Sequence, residues 1–243
     1  MRMSSKGVIG ADRSRVVIFT GPSLHPSKAA MLLDATYLPP IKRGDLTPLL
    51  ASRPRIVGII DGEFYQNLAV TPKEVLALLA AEVVVYGAAS MGALRAVELH
   101  PYGMIGVGSV FRLFRRGVLD ADDEVALAYS NETYRAVSEP LVNTRYALRA
   151  AVRRGLLTRA EAGEILATLK GFYFPERTRQ LVLSIARKVA GSERAAKLRE
   201  FLAAEAPDVK NRDARLLLDR IRRDIGRHRL PVSEAGGRLA AGL

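Results

Sequence analysis

Ser90 is flanked by the residue types that a serine nucleophile needs. Before it, Val83-Val84-Val85-Tyr86 is β-branched or aromatic and predicts a buried strand; after it, Leu94 and Val97 against Arg95 and Glu98 predict a helix from Met91. A strand that turns sharply into a helix holds a hydroxyl clear of the sheet and aims the N–H groups of Met91 and Gly92 at whatever bonds to it. Ala88 and Gly92 are small enough for so crowded a turn. The chemistry this suits is acyl transfer through a serine ester, with the oxyanion held by the Met91 amide and a donor from another loop such as Gly62. A small residue that merely fills a tight turn, or an anion site made of backbone alone, would satisfy the same pattern.

A serine hydroxyl needs a proton acceptor. Lys73 fits a Ser–Lys arrangement if it is desolvated, since a helix N-terminus also favours the neutral amine. Asp61 closes a buried strand, where a carboxylate seldom lies unless it binds something. His25 follows the loop Gly21-Pro22-Ser23 and could reach the same mouth, whereas His100 lies near the far end of the serine helix, roughly 13 Å along it. Lys73, Asp61 and His25 therefore all stay open as bases, with Ser23, Gly62, Met91, Gly92 and Arg95 as residues that could contact a substrate. An Arg95–Glu98 pair within one helix explains those two without function.

The elements that would position these residues alternate. Strands are expected at Val16–Phe19, Thr36–Leu38, Arg55–Ile60 and Val83–Tyr86, with helices at 26–33, from Gly44-Asp45 to Ser52, and from Thr71 to Ala81, where Thr71, Pro72 and Glu74 form a capping box. Such alternation predicts an α/β fold, a mostly parallel sheet flanked by helices, with the ligand site beyond the carboxyl ends of the strands. Gly103 to Val110 reads as a strand and tight turn, since its glycine spacing is not that of a dinucleotide loop. Asp120-Ala121-Asp122-Asp123-Glu124 reads as a solvated turn or a cation or acid cluster, without the spacing of an EF-hand. From Glu139 the period becomes helical: segments at 141–154, 159–170 with a Thr158–Glu161 capping box, 175–190, 193–204 and 210–226 form a C-terminal all-helical appendage. The expected organisation is a flexible lead at 1–14, an α/β core at 15–140, a basic helical subdomain at 141–226 and a disordered tail at 227–243.

The chain of 243 residues carries a formal charge of +12, of which residues 141–243 supply +11 and residues 1–140 only +1. The helical part is thus a basic surface suited to an acidic protein or to nucleic acid, although it lacks the aromatic interleaving that nucleic-acid binding would favour. With no cysteine, disulfides, thiolate nucleophiles and sulfur-ligated metals are excluded; His25, His100 and His228 are too few and scattered for a zinc site. No apolar run approaches a membrane span, and Met1 to Ser14 has no signal-like apolar segment, so a cytoplasmic protein without cofactor is expected.

Taken in order, Gly21-Pro22-Ser23-Leu24, Arg43-Gly44-Asp45-Leu46, Gly58-Ile59-Ile60-Asp61-Gly62, Lys73-Glu74-Val75-Leu76, Gly87 to Ala96, Gly103 to Gly108 and Asp122-Asp123-Glu124-Val125-Ala126 resemble the TfuA-like family over about residues 15–150. The resemblance implies a role beside a YcaO enzyme in peptide-backbone thioamidation, on a ribosomally made precursor peptide or on a protein substrate. It further implies that sulfide is supplied by hydrolysis of the C-terminal thiocarboxylate of a ThiS-like, ubiquitin-fold carrier. Two alternatives of other classes are a non-catalytic scaffold or activator of the YcaO enzyme and a nucleic-acid binder acting through residues 141–229.

Overall fold

Three runs of the chain are buried on both sides, and they become the centre of a sheet. In the computed structural model, which describes residues 16–64 and 68–226, these are β1 (Val16–Phe19), β3 (Ile56–Ile59) and β4 (Val84–Ala88), every residue of each buried. Strands with no solvated face need helices on both sides, which is the condition of a parallel sheet. The shorter, partly exposed β2 (Thr36–Leu38) and β5 (Ile105–Val107) form its edges. All neighbours pair in parallel, in the order β2-β1-β3-β4-β5. The expected lead at 1–14 and tail at 227–243 lie outside the described residues.

Alternate side chains serve two cores, as the period of two in a strand dictates. Val17, Phe19, Val57, Ile59 and Val85 face the helices α3 (Pro72–Ala80) and α4 (Met91–Leu99), meeting Val75, Leu78, Leu79, Ala93 and Ala96. Val16, Ile18, Ile56, Val84 and Tyr86 face the other way, onto Ala29 of the short α1 (Pro26–Ala30) and onto Ala214, Leu217, Leu218 and Ile221 of the last helix, α10 (Val209–Gly226). Between α4 and α10 the chain forms α5 (Gly108–Arg115), α6 (Leu141–Arg153), α7 (Arg159–Lys170), α8 (Arg179–Ala190) and α9 (Ser192–Ala204). α6 to α9 share a separate apolar cluster that includes Leu148, Ile165, Val182 and Leu198. The C-terminal region is helical throughout, and its final helix returns to cover the sheet.

Local chemistry accounts for most boundaries. Both capping boxes form: Thr71 and Glu74 open α3, and Thr158 and Glu161 open α7. The helix expected from Gly44-Asp45 instead starts at Thr47 as α2 (Thr47–Ser52); Asp45 accepts the Lys42 amide at 2.9 Å, and the Gly44 amide donates to Glu74 at 2.6 Å, so these residues build the preceding turn. Within Gly103 to Val110 the strand is β5, and in place of the expected tight turn Gly108 to Val110 open α5 directly. The acidic run at 120–124 is solvated only in part: Asp120 and Asp122 are exposed, but Glu124 is buried and ion-paired with Arg145, Asp123 pairs with Arg177, and Asp120 with Lys170 at 2.8 Å. Basic side chains from the helical region therefore neutralise three of its carboxylates. Among the described residues no cluster of His, Asp and Glu could hold a metal ion, and no helix is long and apolar enough to cross a membrane.

Candidate functional site

Strand order reverses direction at β1, whose neighbours are β2 on one side and β3 on the other. In parallel sheets such a reversal is where the loops leaving the carboxyl ends of the two strands diverge. Asp61, immediately beyond β3, ties the two loops together. Its Oδ2 accepts the amides of Gly21 and Ser23, each at 2.9 Å, and its Oδ1 accepts the Ser23 hydroxyl at 2.5 Å. With Asp61 1% and Ser23 3% exposed, this is a buried carboxylate satisfied by three donors. Asp61 and Ser23 do come together; what Asp61 holds is the β1 loop, and its hydrogen bonds are not to Ser90.

Ser90 lies at the end of the adjacent strand. β4 enters a left-handed turn at Ala89, with φ of 65°, a conformation that only a small side chain tolerates cheaply. The Ser90 amide donates to Ala88 at 2.7 Å and its carbonyl accepts from Ala93 at 2.9 Å, so the backbone of Ser90 is engaged while α4 begins at Met91. Its hydroxyl does not cap α4 and makes no hydrogen bond to another described residue. Most serines in this position satisfy the helix with that oxygen. Here it is left unbonded, in a residue only 3% exposed.

The surroundings of Ser90 are set by close backbone approach. A Cβ on Gly92 would collide with the Ile59 carbonyl, and one on Gly87 with the Gly92 carbonyl. The start of α4 is thus pressed onto the ends of β3 and β4. Gly62 is equally confined, since a Cβ there would stand 2.7 Å from the Met91 side chain, which places the Asp61-Gly62 segment beside the first turn of α4. The Met91 amide is among the orphan donors of that turn. The Gly92 amide is not free, because it donates to the Ile60 carbonyl at 3.3 Å.

Three residues singled out by the sequence have other work. Lys73 is solvent-exposed in the first turn of α3, so the burial required of a lysine base is missing. His25 caps α1 through Nδ1, which meets the Ser27 hydroxyl at 2.7 Å, and its ring stacks edge-on with Tyr134. Arg95 donates to the Val70 carbonyl at 2.9 Å and pairs with Glu98 at 2.6 Å, binding α4 to the segment before α3.

The buried lysine is Lys210, in the first turn of α10 and 2% exposed. Its Nζ donates to the Val125 carbonyl at 2.7 Å. Burial pushes its pKa down, while the charges of Asp61 and Asp208 push it back up, with burial the stronger effect. Asn211, next in the helix, donates to the Ser23 carbonyl at 2.9 Å and so fixes α10 to the β1 loop. Ser23 and Lys210 line one cleft of about 500 Å³ together with Arg135, Ser138, Asn143 and Asp208. The signal for Lys210 was present in the sequence: with Asp213 it falls on the stripe of α10 that continues as Ala214, Leu217 and Ile221, where charged residues are out of place unless they are used.

A loop from Val125 to Ser138 borders this cleft. An antiparallel bridge between Tyr129 and Ala136 closes it, and the Ser138 hydroxyl accepts the Ala128 amide at 2.8 Å. The Tyr129 hydroxyl donates to Glu63 at 3.1 Å, and burial together with Glu63 raises its pKa. Tyr134 packs against Gly21 and His25. The loop therefore rests on the residues that follow both β1 and β3.

Residues 61–178 match the family model described as TfuA-like protein. That span begins at Asp61, includes Ser90 and the Val125–Ser138 loop, and ends before α8. No curated protein matches the chain.

Proposed function

We propose that this chain supplies a YcaO enzyme with sulfide by hydrolysing a protein thiocarboxylate through Ser90, a reading supported by the match of residues 61–178 to the TfuA-like family model, a family associated in general with YcaO-dependent thioamidation. The observation that carries this reading is the Ser90 hydroxyl itself, at a left-handed strand-to-helix turn and without the capping bond that would occupy it. The donor is the C-terminal thiocarboxylate of a ThiS-like, ubiquitin-fold carrier.

Ser90 Oγ attacks the thiocarboxylate carbon as its proton passes to a base, and the Met91 amide at the start of α4 stabilises the oxyanion. Collapse of the tetrahedral adduct breaks the C–S bond and expels the sulfur as hydrosulfide, the proton on the base moving to it. Water then cleaves the acyl-serine ester and returns the carrier as a carboxylate. No oxidant or reductant is consumed. Lys210 is the base in this reading, in place of the exposed Lys73, because burial favours its neutral form and because it lines a cleft with Ser23, whose loop is held by Asp61. Asp61 acts by positioning the β1 loop.

Sulfide release from thiocarboxylated carrier measures this directly. Ser90→Ala should lower it by at least 10²-fold, roughly the effect of losing a covalent nucleophile or its acid–base partner, with an unchanged circular-dichroism spectrum. Undiminished release by a folded Ser90→Ala protein would overturn the nucleophile. If the unaltered chain released no sulfide from the carrier, and thioamidation still required the chain when free sulfide was added, the requirement would lie in support of the YcaO enzyme and the scaffold reading would replace this one.

A further inference from the structure

Helices α6 and α7 pack side by side and leave between them an open groove of about 440 Å³ on the surface of the basic region. Its floor is apolar: Leu148 is buried, Val152 and Leu166 are half-buried, and Ala162 and Gly163 present almost no side chain. A Cβ on Gly163 would meet nothing within 4 Å, so another backbone can come close. Arg145, Arg149, Arg153 and Arg159 stand along its margins, and no acidic residue lines it.

The spacing makes these two stripes deliberate faces. On α6, Arg145, Arg149 and Arg153 recur every fourth residue beside Leu148 and Val152; on α7, Arg159, Ala162, Gly163 and Leu166 fall at the i, i+3, i+4 and i+7 positions of one face. Arg145 is already neutralised by Glu124. Arg149, Arg153 and Arg159 are exposed and make no ion pair with another described residue. Elsewhere on the same bundle arginines do find acids: Arg154 pairs with Glu205, Arg179 with Glu139 and Arg194 with Glu161. The groove thus combines unsatisfied positive charge with an uncovered apolar seam.

We infer that this groove is a docking site for an acidic amphipathic helix of a partner protein. Leucine-like residues of the partner, repeating every third or fourth position, would lie on Leu148, Val152 and Leu166, and flanking Asp and Glu would reach Arg149, Arg153 and Arg159. Charge complementarity selects this occupant. A second copy of a chain with a formal charge of +12 is disfavoured. A nucleic acid would match the arginines and leave the apolar floor unused, with no aromatic ring in the groove on which a base could stack. The groove lies on α6 and α7, whereas Ser90 and Lys210 are carried by β4, α4 and α10, so the inference stands whether or not Ser90 is a nucleophile.

Fluorescence anisotropy with the full chain and a labelled synthetic helix, bearing leucines at i, i+3 and i+7 between glutamates, tests it. Saturable binding is expected, weakened about tenfold or more by the double variant Arg149→Glu, Arg153→Glu, and changed less than twofold by Arg187→Glu, Arg199→Glu, which alters the net charge equally on α8 and α9. A peptide of the same charge with its leucines replaced by serine should bind at least tenfold more weakly. Equal loss in the two double variants, equal binding of the serine peptide, or no saturable binding would each overturn the inference. So would a single-stranded oligonucleotide of matched charge that bound more tightly than the leucine peptide and lost its affinity with Arg149 and Arg153.

Discussion

Ser90 and Lys210 are unusual for opposite reasons. Ser90 is a buried serine whose hydroxyl is left unused by the helix it opens, and Lys210 is a buried lysine whose Nζ is held, among the described residues, by a single carbonyl, that of Val125. Removing a general base slows a reaction by roughly 10²- to 10⁴-fold. Lys210→Met is accordingly expected to cut sulfide release by about 10²-fold, whereas Lys73→Ala, at an exposed position, should leave it within about twofold. Lys210→Met also has a stability signature that activity alone would not reveal. The folded pKa of Lys210 lies below its usual 10.5, so the folded chain holds that proton less tightly than the unfolded one. The cost of charging it builds as pH falls from 10.5 to the lowered value and is complete below it, so stability is gained as pH rises between the two. Melting curves should therefore show the unaltered protein gaining more stability than Lys210→Met as pH rises across that window; parallel curves there would contradict the direction of the shift.

At the scale of elements, the site depends on how closely α4 approaches β3. Gly92 is the point of contact, and a methyl group there meets the Ile59 carbonyl, which cannot move without breaking the β3–β4 pairing. Gly92→Ala should cost about 3 kcal/mol or prevent folding, through overpacking against the backbone. Gly163 is the contrasting case: it sits in the interior of α7 with open space around it. Gly163→Ala should stabilise the chain by about 0.5–1 kcal/mol, because only the conformational freedom of the unfolded state changes. Urea unfolding of both variants checks the pair. These elements were largely legible in the residues, since the capping boxes at Thr71 and Thr158 and the apolar runs of β1, β3 and β4 are local signals. The turn at Gly44-Asp45 is not legible in this way, because the Gly44 amide donates to Glu74, thirty positions away, while Asp45 bonds back to Lys42 and not forward into a helix.

For the molecule as a whole, the decisive element is the last helix described. α10 seals the sheet face formed by Val16, Ile18, Ile56, Val84 and Tyr86, places Asp213 on the Val110 amide at 2.7 Å, and joins Tyr86 to Asp224 at 2.8 Å. A chain ending at residue 208 should lose its cooperative thermal transition and bind a hydrophobic dye, because an apolar sheet face would be opened to water. A sharp transition in the truncated chain would show that the α/β layer stands without it. What the residues determined by themselves was what short-range physics can determine: a parallel α/β sheet, helices to follow, a serine at a strand-to-helix turn, and an arginine-rich second half. What only the tertiary structure decided was which of these distant pieces meet. Lys210 comes to the loop of Ser23 and Asp61, Arg145 and Arg177 neutralise an acidic run that reads as solvated, and Lys73 is left in solvent. Burial and pairing are properties of packing, and packing across more than a hundred residues leaves little trace in any local pattern.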